Sequence, residues 1–213
     1  MAFDKKAIVK AVEAAIAESK GKRKFTQSVD AAINFKDVDF KKPESRLNLE
    51  IFLPHPAKKL KIAVFADGEI ALNAKKAGAD LVIAGSEIPA YASNKEKLKE
   101  LLECAVLSSP QLMAAVGKSL GQVLSGKGRL PKPIMPNSNL PETIERTRNS
   151  IIVRSRGKYL PCVHCIIGKE NMPAEEIAEN LLTVMEAVFR KVTENNIQSI
   201  YVKTTMGKAI TVA

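Results

Sequence analysis

The sequence predicts an α/β protein of two domains: a split α+β domain holding both chain ends, and a parallel α/β domain inserted into it. Three observations predict this. Between Lys61 and Pro110, short continuously apolar runs alternate with helical stretches, the pattern of a parallel sheet covered on both faces. On either side the residues alternate apolar and polar with a period of two, as antiparallel strands with one wet face do. Between Pro173 and Val192, apolar residues recur at helical spacing, so a long helix accompanies the outer strands.

The elements follow in chain order. Ile8, Val9, Val12, Ala15 and Ile16 place a helix over residues 4–20. From Phe25 to Phe35, Val29, Ala31, Ile33 and Phe35 share one face of a strand, and Leu47, Leu49, Ile51 and Leu53 do the same in a second that stops at Pro54. Ile62 to Ala66 is a buried strand. Asp67-Gly68 opens a helix through Ala77 that Gly78 closes, and Asp80 to Ala84 is the next strand. A Lys- and Glu-rich helix covers Asn94 to Glu103, Cys104 to Leu107 is a third strand, and Pro110 opens another helix. The segment GKGRLPKPIMPNSNLPE reads as a loop. Strands return at Ile151 to Arg154 and Cys162 to Ile167, the helix of Pro173 to Val192 follows, and strands at Ile197 to Thr204 and Ala209 to Val212 end the chain. Residues 1–60 and 150–213 thus make the split domain, and 61–149 a Rossmann-like insert; two chain crossings permit a hinge.

The composition limits the function. The chain has 213 residues, 46% of them hydrophobic and 26% charged, enough to bury a core without staples. No apolar run approaches the ~20 residues of a membrane span, and the acid-containing amphipathic N-terminus is unlike a signal peptide, so a cytoplasmic location without membrane contact is expected. Lys and Arg number 33 against 23 Asp and Glu, a net charge of +10, which favours a polyanionic partner. The split domain holds 21 basic and 14 acidic residues and the insert 12 and 9, so the polyanion is expected mainly on the split domain. The absence of Trp and an aromatic content of 5% argue against a base-stacking platform of the kind used on single strands. Three Cys, an odd count, fit a reducing compartment.

Catalytic and metal chemistry find no residues to stand on. Gly121 to Gly128 nearly matches a phosphate-binding loop, but Gly128 stands where the metal-holding hydroxyl belongs, and the segment follows a helix rather than a strand. Cys162 and Cys165 are three apart in a strand and face opposite ways, with no second pair to complete a zinc site. His164 shares a face with Cys162 and Ile166 and reads as structural. Glu175-Glu176 and Asp37/Asp39 suit a helix start and a turn. No catalytic residue, metal or cofactor is expected, and the competing reading is a nucleotide- or phosphate-binding enzyme using the insert. Thr205 to Lys208 is different: strand signals run into it and resume after it, so it is a tight turn. Gly207 there gives backbone freedom and close approach, and Met206 stands exposed beside hydroxyls and lysines.

Lys24-Phe25-Thr26-Gln27-Ser28, Leu53-Pro54-His55, Gly128-Arg129-Leu130-Pro131-Lys132-Pro133 and Thr204-Thr205-Met206-Gly207, in this order and spacing, resemble the ribosomal protein L-one family along essentially the whole chain. Lys42 to Arg46 and the short C-terminus resemble its archaeal branch. The resemblance implies a two-domain fold whose first domain holds both termini and grips structured large-subunit rRNA at the mobile stalk. It also implies binding to a mimic of that site on the protein's own mRNA, with translational repression, and a part in releasing deacylated tRNA at the exit site. The protein would be monomeric off the ribosome. Carried over residue by residue, the RNA contacts fall on Lys24, Phe25, Ser28, Thr205, Met206 and Gly207, with His164 and Ser199 matched less closely. One departure lies in the insert: Ser125-Gly126-Lys127-Gly128 stands where members often carry Gly-Pro-Arg-Gly. Short hydroxyls, a Gly backbone and a few apolar side chains suit an RNA read by its shape, and lysines add salt-dependent attraction.

Overall fold

The computed structural model describes residues 5–42, 45–58, 60–135, 139–155 and 160–212. Part of the archaeal-like stretch from Lys42 to Arg46, and residues 136–138 of the Pro-rich loop, lie outside them. The chain divides into two compact units, Met1–Lys58 with Asn149–Ala213, and Lys59–Arg148.

In the first unit, β1 (Ser28–Phe35) pairs antiparallel with both β8 (Cys162–Lys169) and β9 (Ile197–Thr204), and β10 (Ile210–Thr211) edges β9, giving the order β10-β9-β1-β8. Strict alternation explains the placement. Val29, Ala31, Ile33 and Phe35 of β1 are buried, and the residues between them are half-buried. The buried face is covered by α1 (Lys5–Ser19), through Ile8, Val12 and Ala15, and by α7 (Ala174–Phe189), through Ile177, Leu181, Val184 and Val188. Each such aliphatic side chain contributes roughly 1.5–3 kcal/mol by leaving water. Glu175 and Glu176 lie in the first turn of α7, where the helix dipole favours them.

Asn180 of α7 is fully buried, and both ends of its side-chain amide are hydrogen-bonded. Oδ1 accepts from the His55 N–H at 3.1 Å, and Nδ2 donates to the His55 and Ile167 carbonyls at 2.8 Å each. The chain leaving the unit after Pro54 is thereby tied to α7. Outside the main sheet, β2 (Asn48–Phe52) pairs antiparallel with β7 (Ser150–Arg154) as a separate two-stranded sheet. Alternation alone does not distinguish one sheet from two, because both bury the same face.

In the second unit, β3 (Ile62–Phe65), β4 (Leu81–Ile83), β5 (Ala105–Ser108) and β6 (Lys132–Pro133) form a parallel sheet in the order β4-β3-β5-β6. One apolar cluster joins it to α3 (Ile88–Ser93), α4 (Lys95–Glu103) and α5 (Pro110–Gly126). The other joins it to α2 (Gly68–Lys76) and α6 (Leu140–Arg148). Asn94 caps α4 by accepting from the Glu96 and Lys97 N–H groups. The fold class is the one the sequence predicts. Sequence reasoning missed β6, α3 and α6: β6 and α3 are short and contain prolines, and α6 starts inside the Pro-rich loop. The first strand begins at Ser28, three residues later than expected, because residues 22–25 bend before entering the sheet.

Candidate nucleic-acid interface

Six of the eight residues singled out from the sequence converge at one end of the four-stranded sheet. The approach begins where α1 stops. Gly21, at φ +75°, takes the left-handed conformation that follows many helix ends, and the chain bends through Lys22, Arg23 and Lys24, all exposed. Phe25 follows with 52% of its surface exposed. Gln27 then turns inward and is 1% exposed. Its Nε2 donates to the Ser19 carbonyl at 3.2 Å, and its Oε1 accepts from the Met206 N–H at 3.0 Å. One buried amide thus fixes the helix exit to the β9–β10 turn.

Ser28 and Thr205 close the same end. The Ser28 N–H donates to Thr205 Oγ1 at 3.1 Å, and the Thr205 N–H donates to the Ser28 carbonyl at 3.0 Å. Thr205 Oγ1 also lies 3.3 Å from that carbonyl, as donor. Met206 is 58% exposed. Gly207 donates its N–H to the Thr204 carbonyl at 3.2 Å. Its φ is not left-handed, so conformational freedom does not explain it. A Cβ there would collide with the Thr204 hydroxyl, so the close approach is by this chain's own side chain. That hydroxyl is buried without a partner.

Beside the turn lies a cleft of about 260 Å³ lined by Glu18, Ser19, Lys22, Arg23, Gln27, Met206, Gly207 and Lys208. Three of these side chains are cationic. Met206, one of the lining residues, and Phe25, two residues after Arg23 in the chain, are bulky apolar side chains exposed to water. Such a surface offers phosphate attraction from lysine and arginine, and apolar and hydroxyl contacts for sugar and base.

His164 and Ser199 lie elsewhere, on the sheet face away from the helices. His164 stands opposite Ala32, and Ser199 opposite Asn34, whose Nδ2 donates to Ser199 Oγ at 3.0 Å. Counting along β1 from Ser28, they are roughly 13 and 20 Å from the rim. The same face carries Asp30, with Ile166 and Lys203 as its register partners. Burial raises the Asp30 pKa above the ordinary carboxylate value, and the charges of Lys203 and His164 only partly offset it. Cys162 Sγ and His164 Nε2 are 3.8 Å apart on this face. Cys165 points into the core, where desolvation pushes its thiol up to about 12. Among the described residues no cluster of three or more His, Cys, Asp or Glu is arranged for a metal, and no helix is long and apolar enough to cross a membrane.

Sequence reasoning missed Gln27, Asp30 and the cleft cations Lys22, Arg23 and Lys208. Gln27 carried a signal, a polar residue on the apolar face of the expected strand, whereas Asp30 stands where the alternation calls for a polar residue. The cleft had none, because its walls are remote in sequence.

Comparison with known proteins gives the family of the chain. The model of the Ribosomal protein L1p/L10e family matches residues 12–208. The chain is 42% identical to the large ribosomal subunit protein uL1 of Archaeoglobus fulgidus over the whole of both chains. It is 42% identical to that of Thermofilum pendens over 95% of this chain and 91% of the relative. It is 41% identical to that of Pyrococcus abyssi over 100% and 98%.

Proposed function

Since the chain belongs to the Ribosomal protein L1p/L10e family, whose members are ribosomal and not enzymes, we propose that it binds large-subunit rRNA through the end of its four-stranded sheet. The observation that carries this reading is the convergence of Lys24, Phe25, Ser28, Thr205, Met206 and Gly207 on one rim of the sheet. Two separated chain segments are held there by Gln27 and the Ser28–Thr205 bonds. His164 and Ser199 extend the contact along the sheet face. The split unit, residues 1–60 with 150–213, is the RNA-binding domain, and the insert, 61–149, is a second body on the same ribosomal stalk.

Two finer roles belong to the same reading. The rim binds a structurally similar site on the protein's own mRNA and so represses its translation. On the ribosome, the protein contacts deacylated tRNA leaving the exit site. Off the ribosome it is monomeric.

Filter binding to archaeal large-subunit rRNA tests the main reading. Phe25→Ala and Met206→Ala should each weaken binding by about 1–3 kcal/mol, the scale of a lost apolar contact with a nucleotide, with melting temperatures unchanged. Wild-type binding to rRNA no tighter than to unrelated RNA would overturn it. An excess of the protein's own mRNA leader should displace the rRNA; failure to compete removes the repressor role alone.

A further inference from the structure

The cleft beside the rim contains one residue that neither charge attraction nor fold stability accounts for. Glu18 sits in the last turn of α1, which carries no basic residue there. A carboxylate at that end opposes the helix dipole, so helix stability argues against it. It is also an acid in a cleft whose other charged residues are Lys22, Arg23 and Lys208, so it lowers the attraction for phosphate. Its Oε1 lies 3.7 Å from Lys208 Nζ, a long ion pair whose lysine side chain is 87% exposed and whose glutamate is 30% exposed. Such a pair contributes little and opens readily. An ionised carboxylate only accepts hydrogen bonds. RNA presents donors as base amino and imino groups and as ribose 2′-hydroxyls, and it is read through them where nucleotides are unpaired.

Resting on the proposed rRNA binding, we propose that Glu18 is a specificity-determining residue whose carboxylate accepts a hydrogen bond from a guanine amino group or a ribose 2′-hydroxyl of an unpaired nucleotide in this cleft. Lys208 is its counterion in the free protein and turns to phosphate in the complex. Glu18 thereby trades some non-specific attraction for selection among RNA sites.

The sign of one substitution separates this from the alternative. Glu18→Gln keeps the shape and removes the charge. If Glu18 merely offsets its basic neighbours, the variant binds archaeal large-subunit rRNA as tightly as wild type or tighter. If Glu18 reads a donor, the variant exchanges a charge-assisted bond for a weaker neutral one and binds about tenfold more weakly. Binding to unrelated RNA should hold steady or strengthen, and the melting temperature should not fall. Interference mapping identifies the donor. Pools of the rRNA fragment carrying inosine for guanosine, or 2′-deoxynucleotides, are selected with each protein. A position that interferes more strongly with wild type than with Glu18→Gln marks the donor as the guanine amino group in the first pool or the ribose hydroxyl in the second. Unchanged or tighter rRNA binding by the variant overturns the proposal, as does weaker binding with identical interference patterns for both proteins. In either case Met206→Ala still reports on rRNA binding itself, so the two readings fail separately.

Discussion

Gly207 is confined by its own neighbour. The space its Cβ would need is held by the Thr204 hydroxyl, and Thr204 is fully buried, which leaves its side chain little room to turn aside. Gly207→Ala should therefore displace the turn that presents Met206, with an overpacking cost of about 1–3 kcal/mol. Adding Thr204→Ala removes the colliding atoms and should restore both melting temperature and rRNA affinity. Thr204→Val keeps the branched shape and should not rescue, although alone it should be neutral or stabilising, since it removes a buried hydroxyl with no partner. Thermal melts of the four variants decide this; a Gly207→Ala protein as stable as wild type would show that the turn relaxes freely. Gln27 is the complementary case. Gln27→Ala leaves the Met206 N–H and the Ser19 carbonyl without their side-chain partner, at about 1–3 kcal/mol for each group left bare.

The four-stranded sheet sets its two faces different tasks, and Asp30 marks where they conflict. Its pKa is raised in the folded protein because burial outweighs the attraction of Lys203 and His164. A raised carboxylate favours the fold below the unfolded value of 3.8, and that contribution is lost as pH rises through the folded value. At neutral pH the ionised Asp30 is therefore a net cost. Asp30→Asn should melt higher than wild type at pH 7, with the difference fading as pH falls below 3.8. It should also bind rRNA more tightly, having removed a negative charge from the face that carries His164 and Ser199. A lower melting temperature at pH 7 would mean that the attraction to Lys203 wins. The alternation that buries Val29, Ala31 and Ile33 was plain in the sequence, so β1 and its covered face were legible. The exposure of Met206 followed in the same way, from a turn between two strands. What period-two patterning could not supply was register. Only pairing between β1, β8 and β9 sets Asp30 beside Lys203, or separates His164 and Ser199 from the rim. The cause of Gly207 was illegible for a similar reason: the sequence shows a small residue, and only packing shows that its own neighbour fills the space.

At the scale of the whole molecule the net charge is +10, but only the charges at the interface set how binding responds to salt. Lys22, Arg23, Lys24 and Lys208 cluster at the rim and its cleft, and Lys203 lies on the adjoining sheet face. With these five engaged on phosphates, log affinity against log salt should fall with a slope of about −3 to −5. Basic residues farther from the bound RNA than the ~8–10 Å Debye length are screened and leave the slope unchanged. The substitutions then sort by class. Lys24→Ala or Arg23→Ala should weaken all RNAs alike and reduce the slope by about one. Met206→Ala should leave the slope unchanged and weaken rRNA more than unrelated RNA, because an apolar contact releases no counterions. Titrations across a range of potassium concentrations with these three variants measure both quantities at once. A flat response in the wild type would rule out phosphate-led attraction, and a reduced slope in Met206→Ala would mean that its turn holds the lysines rather than touching the RNA.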